Sequence, residues 1–163
     1  MLRKAVISDA GCIVNIYNYY VENTTITFHE DKVSINEMEQ KIENILNKNY
    51  PFIVLEEDGY IAGYALLNDW RPHHAYKITL ETSIYLDPCF VGRGLGIALY
   101  KELINNAKDL GIHSLIGVLS IPNEASRKIH TKLGFQLAGI IREAGLKFGQ
   151  LIDVEFWQLI INC

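Results

Sequence analysis

The sequence predicts a single α/β domain built around a mixed sheet. Its 163 residues suit one domain of ordinary size, and no repeat, low-complexity tract or linker divides them. Two strand-like runs meet at Asp58-Gly59, a strong hairpin signal, so part of the sheet is antiparallel. Elsewhere strand-like and helix-like segments alternate, which is the α/β pattern. Hairpins and alternation together require a mixed rather than an all-parallel sheet.

Each element follows from local spacing. Arg3 to Ile7 reads as a first strand. Ile13, Ile16, Tyr17 and Tyr20 stand at i, i+3, i+4 and i+7 and predict a helix, with Tyr17, Tyr19 and Tyr20 mainly packing it. Residues 23–33 form a polar loop containing Thr24, Thr25 and Thr27. Ser34 followed by Glu37 is a capping box that opens a second helix, with Ile35, Met38, Ile42, Ile45 and Leu46 on one face. Phe52 to Glu56 and Tyr60 to Leu67 are the hairpin strands, and Lys77 to Leu86 is a longer strand ended by Asp87-Pro88. Gly92 to Gly96 then opens a helix whose apolar face is Leu95, Leu99, Leu103, Ala107 and Leu110, with Gly111 as the stop. Ser114 to Leu119 is a strand, and Asn123 caps a short helix ending at Gly134. Phe135 to Ile141 and Val154 to Ile161 complete the sheet, with a polar turn at residues 147–150 before the last strand.

Composition narrows the function classes. The net charge of −4 gives no basic field for nucleic acid or anionic lipid. No run of about 18 apolar residues and no leader-like apolar segment appears, so a soluble, cytoplasmic protein without a membrane role is expected. Cys12, Cys89 and Cys163 are odd in number and far apart, which argues for a reducing compartment and for buried filler rather than a disulfide framework or a zinc site. The histidines are scattered apart from His73-His74, and no metal site is expected.

The glycine-rich turn is the first feature with chemistry. Glycines just before a helix let the backbone approach a phosphate, and the helix start supplies free N–H groups and partial positive charge. A Walker A loop would follow its last glycine with Lys and Ser or Thr, but Ile97 and Ala98 follow Gly96. A dinucleotide fingerprint would space its glycines G-x-G-x-x-G, whereas Gly92, Gly94 and Gly96 alternate. A nucleotide-binding reading therefore fails on spacing.

The surroundings of the turn are more specific. A long strand ending in Asp-Pro, Gly-x-Gly-x-Gly and a helix, a strand, Pro122-Asn123, a helix and Leu133-Gly134-Phe135 resemble the GNAT superfamily of N-acetyltransferases over nearly the whole chain. Ile16-Tyr17-Asn18, Thr27-Phe28, residues 81–85, Lys147-Phe148-Gly149 and Asp153 resemble its phosphinothricin and methionine sulfoximine branch. The resemblance implies about seven strands, four helices and a notch where two strands splay to admit acetyl-CoA. It implies that Gly92, Arg93, Gly94, Leu95, Gly96 and Ile97 hold the pyrophosphate, and that Ile84, Tyr85, Leu86, Asn123 and Ser126 border the rest of the cofactor. Val91 departs from the superfamily, which usually has Gln or Arg there, and Arg93 is the nearest replacement charge.

Transfer to an amine needs a base, and Glu81 lies mid-strand among Leu80, Ile84 and Leu86, where a carboxylate pKa rises. A strand carboxylate facing solvent is the competing reading; the resemblance, which places a catalytic glutamate there, favours the base. The resemblance puts His130 at the position of the acid that protonates the leaving thiol. It implies a small amino-acid-like acceptor, with Arg71 and Lys77 as basic partners for its carboxylate, Lys147 of the closing hairpin bordering its site, and Thr27, Phe28 and Tyr76 as pocket walls. His73 stands where relatives commonly have a second Arg. A homodimer is also implied. The alternatives are another acceptor amine (a protein N-terminus, a polyamine or an aminoglycoside) or a non-catalytic acetyl-CoA-binding module. Polycations favour acidic clefts, and the loop carrying Arg71, His73, His74 and Lys77 is basic.

Overall fold

The structure, a computed structural model, describes residues 1–161. Among the described residues seven strands form one sheet in the order β1-β2-β3-β4-β5-β7-β6. They are β1 (Leu2–Lys4), β2 (Phe52–Glu57), β3 (Tyr60–Asp69), β4 (Thr79–Leu86), β5 (Ser114–Ile121), β6 (Gln136–Lys147) and β7 (Gln150–Ile160). The helices are α1 (Ala10–Asn23), α2 (Ile35–Asn47), α3 (Leu95–Asp109) and α4 (Glu124–Lys132). Every neighbouring strand pair is antiparallel except β4 and β5, so the sheet is mixed as expected.

The central strands are buried on both faces, which explains their nearly continuous apolar runs. Phe52, Val54, Tyr64 and Leu66 face a core with Ile13, Ile16 and Val21 of α1 and Met38, Ile42 and Ile45 of α2. Ile53, Leu55, Ala65 and Leu67, one residue out of phase, face Leu99, Tyr100 and Leu103 of α3 together with Phe135. The local signals hold where they depend on neighbours in sequence. Ser34 accepts from the Glu37 N–H while Glu37 accepts from the Ser34 N–H. Asp58 and Gly59 turn with φ of 51° and 81°, as the tight hairpin requires.

Several bounds differ from expectation. β1 stops at Lys4, and Ile7–Asp9 turn as a short 3-10 helix, because the Asp9 carboxylate accepts from the Val6 N–H and pairs with Arg3. The strand expected from Lys77 begins at Thr79, since His74–Ile78 form another 3-10 turn. The last hairpin is longer than expected, with β6 reaching Lys147 and β7 starting at Gln150. Register shifts after Leu137 and Ile141 break the period of two there, so no alternation marks the extension. Cys12 and Cys89 are exposed rather than buried filler, and Cys163 lies outside the described residues. No helix among the described residues is long and apolar enough to cross a membrane, and no group of His, Cys, Asp and Glu among them is arranged to hold a metal ion.

Candidate active site

The site begins where the sheet comes apart. β4 and β5 pair from Thr79 and Ser114 only as far as Thr82 and Gly117. Both strands continue, to Leu86 and Ile121, each still paired on its outer side with β3 or β7. Their facing edges therefore carry main-chain N–H and C=O groups with no strand partner. Such groups need hydrogen bonds when covered, and an extended ligand rich in amides supplies them as an added strand does.

A groove runs through this opening. Its wider part, about 630 Å³, is lined by Ile84, Tyr85, Leu86, Gly92, Gly94, Gly96, Ile97, Asn123 and Ser126 of the expected cofactor set. Its narrower part, about 200 Å³, is lined by Glu81, Thr82, Gly117, His130, Thr27 and Phe28. Ile26, Ile84, Tyr85, Asn123 and Ser126 line both, so the path from the glycine turn to Glu81 is continuous. Gly92 and Gly94 have φ of 85° and 77°, the left-handed region that favours glycine. A Cβ on Gly96 would lie 3.2 Å from Ile129 Cδ1 and 3.3 Å from Leu86 Cδ1, so its glycine lets the first turn of α3 sit close to the groove wall. The start of α3 thus opens on the groove, and N–H groups at a helix start favour a phosphate. The groove fits an extended, amide-rich ligand bearing a pyrophosphate on these grounds. Two expected cofactor residues are placed elsewhere. Arg93 lies over the Phe90 ring at 4.9 Å and does not line the groove, and Leu95 packs against the core because its helical phase points inward. Exposed Val91 lines the groove without a charge.

Glu81 is half-buried on β4, in the narrow part. Burial pushes its carboxyl above the usual range, opposed by the nearby charges of Arg71 and Lys41. His130 is 3 % exposed, and burial pulls its pKa down, so the ring is neutral near pH 7. Its Nδ1 lies 2.8 Å from the Ser126 carbonyl, which can only accept, so the proton is assigned to Nδ1. Nε2 then accepts from the Tyr100 hydroxyl at 2.9 Å, and the Thr82 hydroxyl, 2.6 Å from Tyr100 Oη, donates in turn. Both nitrogens are occupied within the protein. His130 therefore lines the narrow part of the groove with both ring nitrogens hydrogen-bonded inside the protein, an arrangement that orients the ring beside Thr82 and Gly117.

The acceptor side is assembled by the loop after α1. Thr27 Oγ1 is 2.7 Å from the Tyr17 hydroxyl, which also meets His29 Nδ1 at 3.0 Å. The Phe28 ring packs on Gly145 of β6, where a Cβ would lie 2.2 Å from a ring carbon. Lys147, expected to border the acceptor site, is 1 % exposed. Its ammonium donates to Val21 O at 2.7 Å and Thr27 O at 2.8 Å, fixing the loop rather than facing the pocket. Arg71 is exposed and lies over Trp70 at 4.9 Å, close enough to act on Glu81. Tyr76 and Lys77 are exposed on the 3-10 turn and do not line the pocket. The sequence reading missed Tyr20, whose hydroxyl donates to Leu86 O at 2.6 Å, and the Tyr100, Thr82 and Gly117 group around His130. It also missed Lys41, although a lysine one residue before Ile42 on the apolar stripe of α2 was a visible signal.

The comparisons agree with this geometry. Residues 2–156 match the Acetyltransferase (GNAT) domain family. A phosphinothricin N-acetyltransferase of Streptomyces viridochromogenes is 32% identical over 157 residues, covering 96% of this chain and 85% of that protein. The L-methionine sulfoximine/L-methionine sulfone acetyltransferase of Pseudomonas aeruginosa is 34% identical over 162 residues, covering 99% and 94%. A crystal structure of a phosphinothricin acetyltransferase from Sinorhizobium meliloti in complex with AcCoA superimposes with a TM-score of 0.96 at 36% identity, covering 99% of this chain and 88% of that one. With its splayed strands, helix-capped groove and half-buried carboxylate, this chain belongs to the GNAT family and is an acetyl-CoA-dependent N-acetyltransferase.

Proposed function

We propose that the chain acetylates the α-amine of a small amino-acid-like acceptor of the phosphinothricin, methionine sulfoximine or methionine sulfone type, with Glu81 as general base. The observation that carries this reading is the half-buried Glu81 at the inner end of the groove, with Arg71 and Lys41 acting on it. Acetyl-CoA supplies the acetyl group as a thioester. Glu81 takes a proton from the acceptor's ammonium, directly or through water, so that the nitrogen lone pair can form the new C–N bond. The C–S bond breaks as the thiolate leaves; with a thiol pKa near about 8.5 it needs little protonation help, which suits a site whose histidine donates elsewhere. An N–H of β4 left unpaired by the splay is suited to stabilise the developing oxyanion.

Thiol release from acetyl-CoA tests the acceptor class. L-Phosphinothricin, L-methionine sulfoximine and L-methionine sulfone should each release thiol, whereas a polyamine and an aminoglycoside should not. Turnover of the polycations alone would keep the reaction and overturn the acceptor.

The chain is also proposed to act as a homodimer in the cytoplasm. Leu137, Ile140, Ile141, Leu146 and Leu151 are exposed on the closing hairpin, with Phe148 at its turn, and an apolar edge of this kind favours a partner. Sedimentation should give twice the 18.5 kDa chain mass, and a monomer would rule out the dimer. Exposed, unpaired Cys12 and Cys89 suit a reducing compartment.

A further inference from the structure

Lys41 is a cation on the buried stripe of α2. The buried residues of this helix are Met38, Ile42 and Ile45, and Lys41 stands three residues from the first and four from the last, on the same side. Its ammonium lies 5.7 Å from the centre of the Tyr17 ring. Tyr17 in turn bonds Thr27, which lines the pocket containing Glu81. The side chain thus lies against Tyr17, one hydrogen bond from Thr27 of the pocket wall, rather than extending to water as surface lysines do.

No acidic partner holds it there. Among the described residues Lys41 forms no ion pair. Glu37, one turn earlier on the helix, is tied to the Ser34 N–H and hydroxyl. Burial pulls the Lys41 pKa down, and the charge of Glu81 pulls it up. A partly buried ammonium with a ring face but no anionic or hydrogen-bonding partner is costly, and Lys147, buried nearby, avoids that cost with two carbonyls. Two cations from different elements therefore act on Glu81, exposed Arg71 after β3 and inward Lys41 on α2. An amino acid with an uncharged side chain brings one anionic group to them, its α-carboxylate. An amino acid with an acidic side chain brings two.

We propose that Lys41 is a specificity-determining residue that receives the anionic side-chain group of the acceptor and makes the enzyme prefer acidic amino acids over uncharged analogues. This inference rests on the amino-acid reading of the acceptor given above. Arg71 takes the α-carboxylate, Lys41 the side-chain phosphinate or carboxylate, and the amine is left to Glu81.

The test compares L-phosphinothricin, whose side chain is anionic, with L-methionine sulfone, whose side chain is not. Steady-state constants are measured for the wild type, Lys41→Met and Lys41→Arg. Met keeps the length and apolar stem of the side chain, and Arg keeps the charge. The wild type should favour phosphinothricin. Lys41→Met should raise the KM for phosphinothricin about tenfold or more, the effect of losing one charge-assisted contact. The loss of its charge beside Glu81 falls on kcat for both acceptors alike, so the readout is the ratio of the two acceptor KM values, which should shift about tenfold against phosphinothricin, and Lys41→Arg should recover most of that shift. An equal rise in KM for both acceptors, or no rise for either, overturns the proposal, since a merely structural lysine does not discriminate between them. If the wild type acetylates other amines and neither of these, the amino-acid reading fails first and the assignment of Lys41 falls with it.

Discussion

Glu81→Gln should lower kcat/KM for the acceptor by about 10²- to 10⁴-fold, the range that a positioned base contributes, while acetyl-CoA binds as before. The substitution keeps the size and hydrogen-bonding capacity of the side chain and removes its ability to take a proton. The pH profile gives the sharper test. Burial raises the Glu81 pKa more than Arg71 and Lys41 lower it. A base works deprotonated, so kcat/KM should climb as pH rises through that raised pKa. The acid limb should therefore lie above the ordinary glutamate value of about 4.3 and be absent in the variant. The stability sign is opposite to the usual carboxylate case. With its pKa raised by folding, the native chain binds more protons than the unfolded one between the two pKa values. The contribution of Glu81 to stability thus falls as pH rises through the folded pKa. Gln carries no such cost, so the variant should melt no lower than the wild type at neutral pH. Activity within a few-fold of wild type, or a lower melting temperature that accounts for the loss, would exclude Glu81 as the base.

Gly117→Ala should produce the largest structural effect for the smallest change. A Cβ at this position would lie 2.2 Å from His130 Nε2 and 2.7 Å from its Cδ2. The ring cannot simply yield, because Nδ1 is held by Ser126 and Nε2 by Tyr100. Overpacking of this kind costs about 1–3 kcal/mol, and each kcal/mol lowers the melting temperature of a domain this size by about 2–4 °C. Gly117 is also the last residue of β5 paired with β4, so moving the ring disturbs the point where the strands part. Acetyl-CoA affinity should fall together with stability. Gly139→Ala is the control, because nothing lies within 4 Å of a Cβ there, and its effect should stay within about 0.5 kcal/mol. Equal melting temperatures for the two variants would show that the close contact at His130 does not matter.

What was legible in the chain follows the range of the interaction behind each feature. The capping box at Ser34, the turn at Asp58-Gly59, the glycine entry to α3 and the Asn123 cap, which accepts from the Ser126 N–H at 3.2 Å, close within a few residues. Their spacing is the interaction itself. The groove-lining positions from Ile84 to Ile97 were legible by resemblance, because the turn that brings them together is local. The directions of charged and ring side chains were not. Lys147 looked like a free cation beside the acceptor, but its partners Val21 and Thr27 lie 126 and 120 residues away. The partner of the second nitrogen of His130, Tyr100, likewise lies 30 residues away.

By itself, then, the sequence determined an α/β domain with a mixed sheet, a glycine-rich helix entry and a carboxylate at the middle of the strand beside it, since these depend on period, turn chemistry and neighbours. Only the tertiary structure decided where β4 and β5 separate, that Lys147 and His130 are held by partners from distant elements, and that Lys41 packs over Tyr17 without an ion pair among the described residues. Those outcomes depend on which distant groups arrive at hydrogen-bonding distance, and a side chain's partners across the fold leave no mark on its spacing in the chain.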